Sequence, residues 1–81
     1  MNSQKLKAHL EAKGVHPDAV RKKGDTQEIK FGYFYTHGRT SDGYAASVEK
    51  ALPAGMVVVS HRNDWKAWPK DSNFVVVVKQ S

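Results

Sequence analysis

Two tryptophans lie three residues apart in a polar stretch of the sequence, with basic side chains before, between and after them. The residues concerned are Arg62, Trp65, Lys66, Trp68 and Lys70. Single-stranded nucleic acid binds to such surfaces because bases stack on aromatic rings, at about 1–3 kcal/mol per base, while cationic groups meet phosphates. The structural alternative is that one or both indoles fold back and cover the end of a small core. One ring inward and one outward would satisfy both interpretations.

A second candidate for phosphate chemistry is the loop 38–43, which contains two glycines five residues apart and precedes a predicted helix. In a nucleotide-binding loop the second glycine is followed by Lys and then Ser or Thr, which hold phosphate and magnesium. Tyr44 and Ala45 occupy those positions here, and Asp42 would repel a phosphate. The sequence therefore argues against nucleotide binding. Arg39 in this loop is kept as a candidate contact for nucleic acid.

Metal binding and covalent catalysis lack the residue patterns that they need. The four histidines are scattered, no His-x-x-x-His pair occurs and cysteine is absent, whereas metal ligands usually cluster at helical or turn spacing. Ser60 and His61 are adjacent on a predicted strand, so their side chains point to opposite faces and cannot share a proton. We therefore expect a protein that is not an enzyme and that uses no metal or other cofactor.

The charge balance favours polyanionic partners. Thirteen Lys and Arg residues against eight Asp and Glu residues give a formal net charge of +5, which favours nucleic acid as a partner but also serves solubility. The length of 81 residues corresponds to a single domain, 1–81. The absence of cysteine, and of an apolar segment of signal-peptide or membrane-span length, predicts a cytoplasmic protein with no membrane partner.

The stretch 31–52 organises the predicted fold. It predicts a strand over 31–36, a polar loop over 37–41 and a helix over 42–52 that is stopped by Pro53. An apolar stripe on one face of this helix needs a partner surface. The stripe consists of Tyr44, Ala45, Val48, Ala51 and Leu52.

Aromatic residues occur on both faces of the strand predicted over 31–36. Tyr33 and Tyr35 share a face with Phe31, so one aromatic face is expected to be open or covered by a partner protein. Gly32 between large rings indicates a β-bulge or the close approach of another group.

The N-terminal part predicts a short helix that is capped by Ser3 and ended by Gly14 in a left-handed conformation. The segment 16–25 is ambiguous. The alternatives are a helical turn, an irregular loop, and a short strand over 20–23 that pairs with 27–31 through a Gly24-Asp25 turn. Of these we favour the irregular loop.

Two valine-rich strands are predicted at the C-terminal end, over 56–61 and 74–79, both with the pattern of strands buried on both faces. Together the elements predict a small two-layer α+β domain in the order α-β-α-β-β. Its mainly antiparallel sheet has three strands, the last two as a hairpin, and packs against two helices. We expect 31–36 to be flanked or central and 74–79 to be a free edge, through which a weak homodimer would form.

The leading functional hypothesis is a non-enzymatic nucleic-acid-binding accessory protein. The predicted contacts with single-stranded nucleic acid are Arg39, Arg62, Trp65, Lys66, Trp68 and Lys70. The alternative is a protein-interaction module or small inhibitor that uses the aromatic face around Tyr33 and Tyr35.

Overall fold

Two helices and four strands form the part of the chain that this computed structural model describes, namely residues 2–32, 41–63 and 72–81. In chain order the elements are α1 (Ser3–Ala12), β1 (Ala19–Lys23), β2 (Thr26–Gly32), α2 (Ser41–Ala51), β3 (Met56–Asn63) and β4 (Ser72–Gln80).

The four strands form one antiparallel sheet in the order β1-β2-β4-β3, and both helices contribute to the core on one face of it. The predicted α+β class, the two helices and the antiparallel pairing of the last two strands are confirmed. The predicted three-stranded order α-β-α-β-β is wrong by one strand, because β1 precedes β2. The strand that contains Phe31 lies between β1 and β4, which agrees with the expected flanked position, but it spans Thr26–Gly32 rather than the predicted 31–36. Positions 33–36 of the predicted strand lie outside the described residues.

The missed strand β1 is joined to β2 by the two-residue turn Gly24-Asp25. Gly24 has a φ of 65°, in the left-handed region that such hairpin turns require and that glycine adopts without steric cost. Lys23 pairs with Thr26 across the turn, and the Thr26 hydroxyl donates a hydrogen bond of 2.8 Å to the Lys23 carbonyl. The short strand is therefore the correct alternative for 16–25, and the irregular loop that we favoured is wrong.

Helix α1 begins and ends with hydrogen-bonded caps. Asn2, rather than the expected Ser3, caps the start, because its side chain accepts from the Lys5 backbone N–H at 2.8 Å. Ser3 instead donates to Gln27 on β2 at 3.0 Å. At the other end Gly14 has a φ of 87°, and the N–H of Val15 donates to the Leu10 carbonyl at 2.9 Å. This is the glycine-terminated helix end predicted from the sequence.

The core lies between the helices and one face of the sheet. Leu6 and Leu10 of α1 and Val48 of α2 are fully buried. They belong to one cluster with Ile29 of β2 and Val76 of β4. The predicted apolar stripe of α2 is confirmed as the face that packs on the valine-rich sheet.

The two valine-rich strands occupy different places in the sheet. The four valines 75–78 of β4 are at most 9% exposed, because β4 lies between β2 and β3. β3 pairs only with β4 among the described strands, and Val57 and Val59 are 41% and 49% exposed. Burial on both faces is thus confirmed for β4 and wrong for β3. The predicted free edge at 74–79, and a homodimer through it, are also wrong, because both sides of β4 are paired.

The pairing of β2 with β4 shifts register between Phe31 and Gly32, which confirms the predicted irregularity. A β-carbon at Gly32 would overlap the carboxylate of Asp18. Asp18 is held there by its own backbone, whose N–H donates to the Lys30 carbonyl at 2.8 Å. A side chain at position 32 would therefore have to displace the Asp18 carboxylate.

Candidate functional site

The sheet face opposite the helices, called the back face below, carries most of the excess positive charge of the described residues. Side chains alternate between the two faces along a strand. Ile29, Val76 and Val78 point into the helix-covered core, so the residues between them lie on the back face. The strand register extends this assignment to β1 and β3. The back face comprises Ala19, Arg21, Lys23, Thr26, Glu28, Lys30, Val57, Ser60, Arg62, Val75, Val77 and Lys79.

The charges can be counted on each side of the sheet. Five cationic side chains lie on the back face, against Glu28 and against Asp18 at its end. The remaining described residues contain five lysines and four acidic side chains. The back face therefore has an excess of three positive charges and the remainder an excess of one. Among the described residues, the positive charge is therefore concentrated on the back face.

Glu28 connects two arginines that lie on opposite edges of the sheet. Its Oε1 atom is 3.3 Å from Nη2 of Arg21 on β1, and its Oε2 atom is 3.0 Å from Nη2 of Arg62 on β3. The Arg62 side chain crosses β4 to make this contact, because β4 separates β2 from β3. The Glu28 side chain is only 6% exposed, whereas the arginines are 43% and 44% exposed. Each arginine is therefore held by a buried carboxylate while part of its side chain stays exposed.

The electrostatic environment of Glu28 reflects the surrounding cations. Burial raises the pKa of Glu28, but the hydrogen bond from Arg62 and the charges of Lys30, Arg62 and Lys23 lower it more. The resulting pKa lies below the ordinary value of about 4.5. Glu28 is consequently ionised at neutral pH, and its negative charge offsets one positive charge of the back face.

The back face is buried at one end and open at the other. Val75 and Lys30 are 0% and 1% exposed. At the other end Thr26 pairs with Lys23 on one side and Lys79 on the other, and both lysines are exposed. We call the accessible cations of this face the cationic strip, which consists of Arg21, Lys23, Arg62 and Lys79.

One of the six residues predicted to contact nucleic acid is placed by the structure. Arg62 belongs to the cationic strip and is hydrogen-bonded to Glu28. The other five lie outside the described residues: Arg39, Trp65, Lys66, Trp68 and Lys70.

The aromatic face of the alternative hypothesis is only partly described. Ile29 and Phe31 are buried on the helix side of the sheet, and the Phe31 ring stacks on Tyr44 with 4.3 Å between ring centroids. This part of the face belongs to the core and is not available to a partner. Tyr33 and Tyr35 lie outside the described residues.

Sequence reasoning missed four residues of the site, namely Arg21, Lys23, Glu28 and Lys79. The basic run 21–23 belongs to the segment 16–25, for which we favoured an irregular loop. The available signal was its position immediately before a Gly-Asp turn, which predicts a strand and hence places alternate cations on one face. The pairing of Glu28 with Arg62, which is 34 residues away, has no local signal.

Within residues 2–32, 41–63 and 72–81 no group of three or more His, Asp or Glu side chains is arranged to hold a metal ion. Neither helix of the described chain has the length and apolar character that crossing a membrane requires.

The fold and site define a small cysteine-free α+β protein whose antiparallel sheet has one face under two helices and a cationic opposite face. Comparison with known proteins adds no family: no family model matches the chain, and neither a curated protein nor a solved structure is significantly similar to it.

Proposed function

We propose that this protein binds nucleic acid without catalysing a reaction, and that the phosphate backbone lies along the cationic strip. The observation that carries the proposal is the excess of three positive charges on the back face, where four of the cations are accessible. Lys and Arg contacts to phosphate supply sequence-independent affinity, because each contact releases counterions from the nucleic acid.

Single-stranded nucleic acid is the favoured form, because the sequence offers rings for base stacking a few residues after Arg62 of the cationic strip. β3 ends at Asn63, and Trp65 and Trp68 follow it in the sequence by two and five residues. Stacking on an indole is tolerant of base identity and adds to the phosphate contacts. We propose that the strip binds phosphates and that at least one of these indoles binds a base.

The test is a fluorescence anisotropy titration of a labelled single-stranded DNA of about 16 nucleotides, at about 50 and about 200 mM salt. Each phosphate contact contributes a slope of about 0.7 to the salt dependence of a single strand. If all four cations of the strip meet phosphates, wild-type affinity should fall about 50-fold over this fourfold salt range. The double variant Lys23→Gln/Lys79→Gln should fall only about sevenfold, because two contacts are lost.

A matched control removes the same charge from the opposite side of the sheet. Lys5 and Lys50 are exposed on α1 and α2, so Lys5→Gln/Lys50→Gln lowers the net charge equally without touching the cationic strip. The control should keep the wild-type slope. Equal slopes for the two double variants would show that net charge, rather than the back face, drives binding. Absence of binding by wild type at about 50 mM salt would refute the proposal, since attraction is strongest there.

The protein-interaction alternative now depends on a different surface. The aromatic face predicted around Tyr33 is buried where it is described, at Phe31. The most exposed large apolar side chains of the described residues are instead Val57 and Val59, both on β3. An interaction module would therefore use the edge of β3 that no described strand covers, and a nuclease-resistant, salt-insensitive complex would favour it over nucleic-acid binding.

A further inference from the structure

The two edges of the described sheet differ in how well they are protected from pairing with another strand. β1 has five residues, and its exposed half consists of Arg21, Lys22 and Lys23, the kind of charged short edge that resists pairing. β3 has eight residues, no proline and no lysine, and it exposes Val57 and Val59. Of the two, β3 is the edge suited to accept a further strand.

A groove runs beside the β3 edge on the helix side of the sheet. It has a volume of about 630 Å³ and lies between α2 and β3. Ala45, Met56 and Val58 form apolar parts of its lining, and Asp42 and Glu49 of α2 give it acidic groups. A strand added to β3 would therefore meet apolar surface and negative charge on its helix-facing side.

The β3 strand of a second copy has the chemistry that this groove requires. Residues 56–59 are Met and Val, 61 and 62 are His and Arg, and the strand contains no acidic residue. Its apolar half matches the apolar lining. Its His61 lies on the helix side, contacts Asp42 of its own α2 at 3.1 Å, and brings no negative charge toward the acidic groups of the groove. The β1 edge of a second copy would give an open-ended array, whereas pairing of β3 with β3 closes as a dimer.

The bulge in β3 makes this self-pairing geometrically consistent. The register with β4 skips Val59, so Val58 and His61 both lie on the helix side, whereas Val57 and Arg62 both lie on the back face. In a dimer whose two-fold axis is perpendicular to the sheet, residues paired across the two strands must have their side chains on the same side of the sheet. Full overlap of two β3 strands pairs 57 with 62 and 58 with 61, which meets this condition. An eight-residue strand without the bulge would violate it at every pair.

We propose that the chain forms an isologous dimer in which the β3 strands of two copies pair antiparallel over Met56–Asn63. The two sheets then form one continuous eight-stranded sheet with all four helices on one side. No cation faces another cation in this register, since Arg62 lies opposite Val57 and His61 opposite Val58. The proposal does not depend on nucleic-acid binding, and its salt dependence differs. Dimerisation should not weaken as salt rises, because each copy carries a net charge of +5 that opposes association.

The test is sedimentation equilibrium of the whole chain over a wide concentration range at low and high salt. The mass should rise from 9.0 kDa toward twice that value and stop there. Val57→Lys should raise the apparent dissociation constant about tenfold or more, because pairing would bring two added lysines against the arginines of the dimer. Ala8→Lys adds the same charge at an exposed position of α1 and should leave the dissociation constant within about twofold of wild type.

A cross-linking experiment tests the register independently of the lysine variants. The chain contains no cysteine, so one introduced thiol reports one position. Val59 lies next to the proposed axis, so Val59→Cys should give a disulfide-linked dimer on mild oxidation, and Ala8→Cys should not. A strict monomer at every concentration, growth beyond a dimer, a dimer unaffected by Val57→Lys, or equal cross-linking at both positions would each overturn the proposal.

Discussion

Replacing Glu28 by Gln should lower stability and strengthen nucleic-acid binding at the same time. The substitution keeps the shape of the side chain and removes the charge that Arg21 and Arg62 contact at 3.3 and 3.0 Å. Hydrogen bonds to charged groups contribute about 1.5–3 kcal/mol when buried, and exposed ion pairs about 0–1 kcal/mol. Because the arginines are 43% and 44% exposed, we expect a loss of about 1–2 kcal/mol in the free energy of unfolding.

The assay for stability is thermal and urea unfolding of both proteins at several pH values. A loss of this size should lower the melting temperature by about 5–15 °C in a domain of this length. The folded pKa of Glu28 lies below its ordinary value, so its stabilisation is present above the unfolded pKa of about 4.5. It is lost as pH falls through the folded pKa. The difference between wild type and Glu28→Gln should therefore be constant above about pH 5 and shrink below about pH 4.5.

The same variant should bind single-stranded DNA more tightly than wild type does. A carboxylate about 8 Å from a bound phosphate repels it by roughly 0.5–1 kcal/mol at effective dielectric constants of about 40–80. Removing the charge should thus increase affinity about two- to fivefold at low salt. An unchanged melting temperature would refute the inferred role of Glu28 in stability. Weaker binding by a folded Glu28→Gln would show that Glu28 serves chiefly to position the two arginines for the phosphate.

Three further predictions follow from the packing and from the loop. Val48→Asp places a carboxylate in the core and should lower the free energy of unfolding by several kcal/mol, enough to unfold the domain, as measured by a circular dichroism melt. The control Ala46→Asp is exposed on the same helix and should change the free energy of unfolding by less than about 1 kcal/mol. Gly32→Ala should lower the free energy of unfolding by about 1 kcal/mol in urea unfolding, since its β-carbon would displace the Asp18 carboxylate. A loss of several kcal/mol would show that this carboxylate cannot move aside. If a tryptophan within 64–71 stacks on a base, its replacement by Ala should weaken DNA binding by about 1–3 kcal/mol without changing the salt slope. Replacement of a tryptophan whose ring packs inward should instead lower the melting temperature first.

Several parts of the fold could be predicted because their signals are local. The stripe that includes Tyr44 and Val48 repeats at helical spacing and predicted α2 and its buried face. Gly14 predicted the end of α1, because the hydrogen bonds that end a helix require a left-handed backbone conformation, which glycine adopts without strain. Gly32 between large side chains predicted the irregularity in β2. The α+β class follows from these elements, since each apolar face needs one partner layer.

Other parts depend on which strands become neighbours, and local pattern carries little information about that. β3 and β4 have nearly the same valine-rich pattern, yet β4 is central and β3 is an edge, because β2 pairs with β4. β1 was one of three alternatives and not the favoured one, because an edge strand is half solvated and can be built from basic residues without an apolar signal. Arg62 was selected from sequence for its position near Trp65. Its contact with Glu28 arises because the antiparallel register of β2, β4 and β3 aligns residues 34 positions apart on one face. Composition thus fixed the amount of positive charge, and strand pairing decided that most of its excess lies on a single face of the sheet.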